Sequence, residues 1–217
     1  MSVNAIITAG GTSSRFGRTN KLLEKINGKE VIKYTIEAFL SSKIDKIIIC
    51  ANISIMENLE EMFKNESKVE IIEGGATRQE SVYKGLKHDK CDYVLIHDGA
   101  RPVVSTELIN TCIEMVKECC ALSVMTKTID TIKEVEHGRI IKTIDRAKLY
   151  NTQTPQGFKY DLILDAHKQY EGKNYTDDAG MIEDMGLPVY IVDGSYKNIK
   201  ITTQSDIELA KIFLPSI

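Results

Sequence analysis

A glycine-rich loop near the start of the chain has the residue types of an anion-binding site. An apolar run at residues 3–7 predicts a buried strand, and glycines, hydroxyl residues and two cations, Arg15 and Lys21, follow it. Consecutive glycines let backbone N–H groups approach a ligand, where they act as fixed donors to phosphate oxygens. The loop therefore predicts a phosphate site in which Gly10 and Gly11 supply backbone donors and the two cations supply charge.

The spacing of this loop separates it from the two common phosphate loops. It matches neither G-x-G-x-x-G nor G-x-x-x-x-G-K-[ST], so a Rossmann dinucleotide site and a P-loop are both disfavoured. An ordinary strand-to-helix turn with solvated cations stays open as an alternative. If the loop binds a nucleotide, it does so in a different manner from those two motifs.

Charged residues also follow a later apolar strand, where Asp98 and Arg101 stand in the sequence His-Asp-Gly-Ala-Arg-Pro. Groups just past the carboxyl end of a parallel strand lie on the rim where α/β sheets bind ligands. A second glycine turn, at 74–76, leads into a capping box formed by Thr77 and Glu80. Free N–H groups at that helix start predict a second wall of the site, although such turns also serve structure alone.

The elements that must position these residues alternate along the chain between apolar runs and helical spacing. This alternation predicts an α/β fold with a Rossmann-like, doubly wound, mostly parallel sheet. The predicted strands are 3–7, 46–51, 69–72, 93–96, 121–125, 149–154, 189–192 and 198–202. The predicted helices lie near 32–40, 54–64, 77–86, 109–116 and 160–170, with two more opening at 176 and 205.

Composition limits the classes of protein. The chain has 217 residues, is 42% hydrophobic and carries a net charge of −3, which fits one domain and argues against general nucleic-acid or membrane binding. Five cysteines without C-x-x-C spacing indicate reduced thiols rather than disulfides or zinc ligands. The first residues lack a basic, apolar leader, and no apolar run reaches membrane length, so we expect a cytoplasmic protein.

Residues 126–146 depart from the alternating pattern. Two β-rich runs, 128–135 and 139–144, flank a turn at His137 and Gly138 and predict a protruding hairpin arm on the single domain. A lone two-stranded hairpin is marginally stable in water, so the arm needs support from another subunit or from its own domain. Further on, Thr176 with two acids predicts a capped helix start, or a carboxylate pair able to hold a metal.

A set of short motifs follows in order along the whole chain. The motifs are Thr-Ala-Gly-Gly at 8–11 with Arg15 and Lys21, Gly-Gly-Ala-Thr-Arg at 74–78 through Ser81, His-Asp-Gly-Ala-Arg-Pro at 97–102, Ile-Asp-Thr at 129–131, Asp-Arg at 145–146, Gln-Thr-Pro-Gln at 153–156, Thr-Asp-Asp-Ala at 176–179 and Asn-Ile-Lys-Ile-Thr at 198–202. This ordered set resembles the 2-C-methyl-D-erythritol 4-phosphate cytidylyltransferase family nearly from end to end. One departure is Asn-Lys-Leu at 20–22, where the family often has Pro-Lys-Gln around the second cation.

The resemblance implies an Mg²⁺-dependent nucleotidyltransferase that joins CTP and 2-C-methyl-D-erythritol 4-phosphate, giving 4-diphosphocytidyl-2-C-methyl-D-erythritol and pyrophosphate in non-mevalonate isoprenoid biosynthesis. The magnesium ion would be held mainly by the CTP phosphates, near Asp98. The implied residues are Thr8, Ala9, Gly75 and Ser81 at cytosine, Gly10, Gly11 and Asp98 at the ribose and phosphates, and Arg15, Lys21 and Lys200 as the catalytic cations.

The resemblance further implies a homodimer, in which the arm brings Thr131 and Arg146 to the sugar phosphate in the neighbouring site. Arg101 and Thr176 would complete that substrate site. A ribitol 5-phosphate cytidylyltransferase is the nearest alternative, and a non-catalytic nucleotide-binding regulator is another. The three implied cations, Arg15, Lys21 and Lys200, argue against a regulator, because a protein that only binds the nucleotide needs no positive charges at the α-phosphorus. A glycosyltransferase is disfavoured because no Asp-x-Asp pair follows the fourth strand.

Overall fold

The structure, a computed structural model, describes residues 1–11 and 20–214. Arg15 therefore lies outside the described residues. The described helices are α1 (Val31–Leu40), α2 (Met56–Phe63), α3 (Arg78–His88), α4 (Thr106–Cys119), α5 (Tyr160–Gln169), α6 (Ala179–Asp184) and α7 (Gln204–Phe213). The described strands are β1 (Val3–Ala9), β2 (Lys25–Ile26), β3 (Lys29–Glu30), β4 (Lys46–Ala51), β5 (Val69–Glu73), β6 (Tyr93–Asp98), β7 (Ala121–Lys127), β8 (Ile132–Glu136), β9 (Arg139–Ile144), β10 (Tyr150–Lys159) and β11 (Tyr190–Asp193).

Seven of these strands form one sheet in the order β11-β7-β10-β6-β1-β4-β5. The β1–β4, β1–β6, β4–β5 and β7–β11 pairs are parallel. β10 runs antiparallel to both of its neighbours, β6 and β7, so those two strands point the same way. The predicted mostly parallel α/β sheet is confirmed, with β10 as its reversed strand.

Alternate side chains of β1 enter two separate apolar cores, one on each face of the sheet. Ile7 belongs to a core that includes side chains of α1, α2, α4 and α7 on one face, whereas Ile6 belongs to a core that includes side chains of α3, α5 and α6 on the other. Successive side chains of a strand point to opposite faces, so a strand covered on both faces is apolar throughout. The helices therefore cover both faces of the sheet, as the doubly wound prediction requires.

The register of the central strands brings the predicted site residues to one edge of the sheet. Thr8, near the carboxyl end of β1, lies opposite Cys50 of β4 and Asp98 of β6. The glycine-rich loop leaves the sheet at this edge, and α3 begins there after β5. The carboxyl edge is thus where the two predicted walls of the site meet.

The arm forms as predicted. β8 and β9 pair with each other in a separate two-stranded sheet, and all their residues are exposed except the partly buried Ile144. The arm is inserted between two neighbouring strands, because Lys127 of β7 pairs with Tyr150 of β10 on its far side. Several apolar side chains stand exposed on it, namely Ile129, Val135, Ile140 and Ile141.

Some predicted boundaries are wrong. Residues 198–202 form no strand, because the segment is tied to the sheet edge by a single backbone bond from Ile201 to Ala100. The last helix is capped by Thr203 and Asp206, not by residues 205 and 208. Helix α2 follows a 3₁₀ turn capped by Asn52. In the two helical cases a polar residue slightly earlier in the chain than predicted, Asn52 or Thr203, provides the cap.

The five cysteines are free, and burial raises the pKa of Cys50, Cys91 and Cys112 to about 12. These buried thiols are therefore protonated and behave as small apolar side chains. Within residues 1–11 and 20–214, none of the helices is both long and apolar enough to cross a membrane.

Candidate functional site

A pocket of about 300 Å³ opens at the carboxyl edge of the sheet, beside β1 and β6. Two glycines form part of its lining, and its described cations come from three distant segments of the chain. Among the described residues, the lining consists of Thr8, Ala9, Gly10, Gly11, Lys21, Leu22, Ala76, Thr77, Arg78, Ser81, Asp98, Ala100 and Lys200. The fold thus gathers nearly all of the predicted nucleotide-binding residues, and two of the predicted catalytic cations, around one cavity.

The carboxylate of Asp98 is the centre of a charge cluster in this pocket. Its Oδ2 lies 2.8 Å from Nζ of Lys200 and 3.5 Å from Nε of Arg101, and its Oδ1 lies 3.4 Å from Nε of Arg78. Burial alone would raise the pKa of Asp98, but the three cations outweigh burial and hold that pKa well below its ordinary value. Asp98 is therefore ionised, and the three cations still outnumber the two carboxylates when the partner of Arg78, Asp178, is counted, which favours an anionic ligand.

Buried polar residues behind Asp98 fix its backbone. The Asp98 N–H donates to Oγ1 of Thr154 at 3.1 Å, and the same hydroxyl lies 3.0 Å from Nδ1 of His97. Burial lowers the pKa of His97 to about 3, so its imidazole is neutral and fully enclosed. Arg101 is also buried and donates from Nη1 to the Asn198 carbonyl at 2.7 Å, so it lies behind Asp98 and not on the described pocket lining.

Close backbone approach requires glycine at Gly75, next to the pocket. Its N–H donates to Oγ of Ser81 at 2.9 Å, and the same hydroxyl donates to the Thr77 carbonyl at 2.9 Å. A Cβ at position 75 would lie 2.2 Å from Cβ of Glu80 and 2.9 Å from the Ser81 nitrogen. Atoms in helix α3 occupy the space that any other residue would need. Gly75 supports the wall through Ser81, and it is not itself on the described lining.

We expect Gly75→Ala to destabilise the protein and to weaken nucleotide binding. The methyl group would displace the backbone of α3, and overpacking of this kind costs about 1–3 kcal/mol of unfolding free energy. Urea unfolding and calorimetric titration with CTP measure the two effects. Gly11→Ala is the stability control, because its Cβ meets no described atom within 4 Å. Equal stability of the Gly75→Ala variant and the wild type would contradict the expectation.

A second buried network reaches the pocket through Arg78, which sequence reasoning included in a motif but did not assign to the site. Nη1 of Arg78 lies 2.7 Å from Oδ2 of Asp178, and Oδ1 of Asp178 lies 3.2 Å from Nε2 of His167. Asp178 and His167 are both fully buried. The side chain of Asp178 is therefore not the helix-capping charge that the sequence suggested. The neighbouring Asp177 has the capping role, because its Oδ1 accepts from the Gly180 N–H at 3.3 Å.

Three of the four predicted substrate residues, all except the buried Arg101, are exposed and lie outside the pocket lining. Thr131 and Arg146 belong to the arm, and Arg146 donates from Nη1 to the carbonyl of Ile129 within that arm. Thr176 is exposed on the loop before α6. A single chain thus does not gather these three residues onto the lining of the pocket in the described part of the structure.

The carboxylate of Asp98 is also the part of this site that fits a divalent cation. In the described part of the chain, no three His, Cys, Asp or Glu side chains come together as a metal site, and Asp98 is the only carboxylate on the pocket lining. Mg²⁺ commonly binds through one or two carboxylates together with substrate phosphates. The donor set therefore fits a magnesium ion that arrives with a polyphosphate.

A doubly wound sheet with a glycine-lined, cationic pocket at its carboxyl edge defines a nucleotidyltransferase-type protein. The family model for 2-C-methyl-D-erythritol 4-phosphate cytidylyltransferase matches residues 3–216. A protein named 2-C-methyl-D-erythritol 4-phosphate cytidylyltransferase from Clostridioides difficile (strain 630) is 42% identical, over 97% of this chain and 93% of its own length. One of the same name from Bacillus mycoides (strain KBAB4) is 40% identical, over 96% of each chain.

Solved structures agree with these sequence matches. The crystal structure of 4-diphosphocytidyl-2C-methyl-D-erythritol synthase from Anaerococcus prevotii DSM 20548 superposes with a TM-score of 0.87 at 31% identity, covering 98% of this chain and 95% of that one. The chain belongs to the 2-C-methyl-D-erythritol 4-phosphate cytidylyltransferase family. The resemblance predicted from the motifs is confirmed, and with it the cytidylyltransferase reaction at the level of the family.

Proposed function

We infer that the reaction of the family takes place in the pocket around Asp98. In that reaction CTP and 2-C-methyl-D-erythritol 4-phosphate give 4-diphosphocytidyl-2-C-methyl-D-erythritol and pyrophosphate. The observation that carries this inference is the convergence of Arg78, Arg101 and Lys200 on one buried carboxylate. An incoming triphosphate would replace Asp98 as the partner of the more accessible of these cations.

We propose that cytosine lies against Thr8, Ala9 and Ser81, with Gly75 holding Ser81 in place. The ribose and phosphates then lie along Gly10, Gly11 and Asp98. The helix α3 begins at this wall, so its first N–H groups and its dipole face the nucleotide. The wall formed by Ser81 at the start of α3 favours the smaller pyrimidine ring over a purine.

The proposed chemistry needs positioned charge more than a proton-transfer residue. The phosphate of the polyol substrate attacks the α-phosphorus of CTP, and it is already ionised, so a general base is unnecessary. Arg15, Lys21 and Lys200 stabilise the negative charge that gathers there. When Mg²⁺ is bound, it offsets charge on the triphosphate and on the departing pyrophosphate. His97 is neutral and enclosed, so it holds Thr154 and takes no proton.

We propose that the polyol phosphate site is completed between two subunits of a homodimer. The substrate residues Thr131 and Arg146 lie on an exposed arm whose apolar side chains need a cover, which a second arm can provide. Thr176, exposed on the loop before α6, would contact the same substrate, and Arg101 would hold Asp98 in place. A cytoplasmic location suits the five free thiols, because reducing compartments keep cysteines unpaired.

We expect pyrophosphate release from CTP with 2-C-methyl-D-erythritol 4-phosphate, and much slower release from ATP or GTP. The test incubates the protein with Mg²⁺, one nucleotide and either that substrate or ribitol 5-phosphate. Removal of Mg²⁺ with EDTA should stop the reaction. Equal release from all nucleotides would contradict the proposed cytosine contacts. Preference for ribitol 5-phosphate would replace the polyol assignment, and binding of CTP without turnover would indicate the regulator.

A further inference from the structure

Gln156 is a fully buried amide on β10 whose hydrogen-bonding groups join three parts of the fold. Its Nε2 donates to Oγ of Ser123 at 2.9 Å and to Oδ2 of Asp177 at 2.8 Å. Its Oε1 accepts from the backbone N–H groups of Asp178 at 3.0 Å and Ala179 at 3.3 Å. A buried amide with this many partners specifies one arrangement of the groups around it, because each lost bond would leave a buried polar atom unsatisfied.

The segment held by Gln156 carries the carboxylate that holds Arg78. Asp178 has its backbone fixed by Gln156, and its side chain is enclosed between Arg78 and His167. The imidazole of His167 stacks on the ring of Tyr83 with a centroid distance of 5.8 Å. Because Tyr83 belongs to α3, the network closes on the helix that begins with Arg78. The position of Asp178 is therefore set from two sides.

Arg78 is the point where this network reaches the ligand pocket. Its Nη1 faces Asp178 and its Nε faces Asp98, which fixes the plane of the guanidinium at the wall. The side chain is 24% exposed and lines the pocket. Because two of its edges are held by carboxylates, the guanidinium is already oriented at the pocket wall. It therefore loses little further conformational entropy when an anion binds.

We propose that Gln156 is a positioning residue: through Asp178 it holds Arg78 at the pocket wall, and Arg78 binds the phosphates of the nucleotide. This role rests on the proposed function of the pocket. Gln156 itself touches neither substrate nor reacting atoms. Gln156 therefore affects the affinity for CTP, because Arg78 contacts the phosphates equally before the chemical step and during it. Loss of such uniform binding raises the KM for CTP and leaves kcat at saturating CTP unchanged.

The test first breaks the hydrogen bond between Gln156 and Asp177 and then restores it with donor and acceptor exchanged. Gln156→Glu keeps the side-chain shape but places a carboxylate oxygen against the carboxylate of Asp177, so the segment is pushed away. We expect the KM and Kd for CTP to rise roughly tenfold, within the range of coupling energies for contacting residues. Adding Asp177→Asn restores the hydrogen bond, because the new side-chain amide donates to the carboxylate introduced at position 156. The hydroxyl of Ser123 can rotate and donate to the same carboxylate. The double variant should return to within about threefold of wild type.

A second pair of variants links the effect to Arg78. Arg78→Gln should weaken CTP binding, and adding Gln156→Glu to it should weaken binding no further, since both changes remove one contact. Should Gln156→Glu fail to fold, Asp178→Asn replaces it in the same cycle and must raise the KM for CTP. An unchanged KM for CTP in the folded variants, or effects that simply add, would overturn the proposal.

Asp184→Asn is the matched control. This carboxylate lies on the same helix, α6, but is exposed and accepts a hydrogen bond from Tyr175 Oη at 2.5 Å. Its KM and kcat should equal those of the wild type. The control also separates the two inferences. Absence of pyrophosphate release from both wild type and Asp184→Asn would refute the proposed function, whereas normal release with no response to Gln156→Glu refutes only the positioning role.

Discussion

Lys200→Ala should lower the rate of pyrophosphate release by about 10²- to 10³-fold at saturating substrates, the loss typical of one preorganised electrostatic contact to a transition state. Lys200 lines the pocket with its side chain 40% exposed, and its Nζ lies 2.8 Å from Asp98. It can therefore turn to a phosphate without leaving a buried charge unpaired, because Arg78 and Arg101 remain at Asp98. Arg15→Ala should cause a loss of the same size on the basis of the family motif.

The measurement is kcat for both variants together with their circular dichroism and thermal midpoint. Lys197→Ala is the matched control, since Lys197 is three residues earlier and stacks over the ring of Phe213 at 5.8 Å. Lys200→Arg should retain part of the rate, because it keeps the charge but changes its reach. Near-normal turnover by a correctly folded Lys200→Ala protein would remove Lys200 from the chemistry.

Arg146→Ala should impair use of the polyol phosphate and leave the affinity for CTP nearly intact. An arginine fork can bind a phosphate bidentately, which lysine cannot reproduce. Arg146 is exposed, and its described hydrogen bond, to the Ile129 carbonyl, lies within its own arm. We expect the KM for the polyol phosphate to rise by at least about tenfold, as for loss of a charged hydrogen bond. Initial rates at varied polyol phosphate, with calorimetric titration of CTP, measure the two effects.

Mixed dimers test whether Arg146 acts across the proposed subunit interface. Arg15→Ala and Arg146→Ala chains are mixed in equal amounts after dissociation, and the rate is measured at a polyol phosphate concentration below the raised KM of the Arg146→Ala variant, where each variant alone is much slower than the wild type. If Arg146 serves the partner's site, one site of each heterodimer keeps both arginines and the other site loses both. Random pairing should then restore about a quarter of the wild-type activity, because half of the dimers are mixed and each has one intact site. No recovery in a sample shown to contain heterodimers would place Arg146 in its own chain's site.

Local patterns predicted most of the fold because they report burial by short-range periodicity. The central strands follow from continuous apolar runs, the helices on both faces from apolar spacing of 3.6 residues, and the arm from two β-rich runs around a turn. The segment 198–202 was wrongly predicted as a strand because two isoleucines alternate with polar residues there. The Ile201 N–H donates to the Ala100 carbonyl, but this hydrogen bond does not continue into a ladder. Alternation records which side chains are buried, and it does not record whether a ladder of hydrogen bonds forms.

Site residues could be predicted from the sequence where a single motif follows the end of one strand. Contacts between motifs that are distant in the chain could not be predicted. Lys200 and Asp98 came from separate motifs, and family resemblance was needed to bring them together. The ion pair between Arg78 and Asp178 joins residues one hundred positions apart. No local pattern distinguishes a buried carboxylate of this kind from an exposed capping acid. Sequence reasoning therefore found the rim of the pocket and missed its supporting network.

The insertion of the arm between Lys127 and Tyr150 has a consequence for how the fold is assembled. These two residues are direct partners in the ladder between β7 and β10, so the chain leaves the sheet and returns to it at the same residue pair. The entropy of closing a loop grows only logarithmically, and each doubling of loop length costs about 0.6 kcal/mol. A long excursion there adds little to the free energy of forming the β7–β10 ladder. The length of the arm can thus change while the sheet and the pocket around Asp98 keep their geometry.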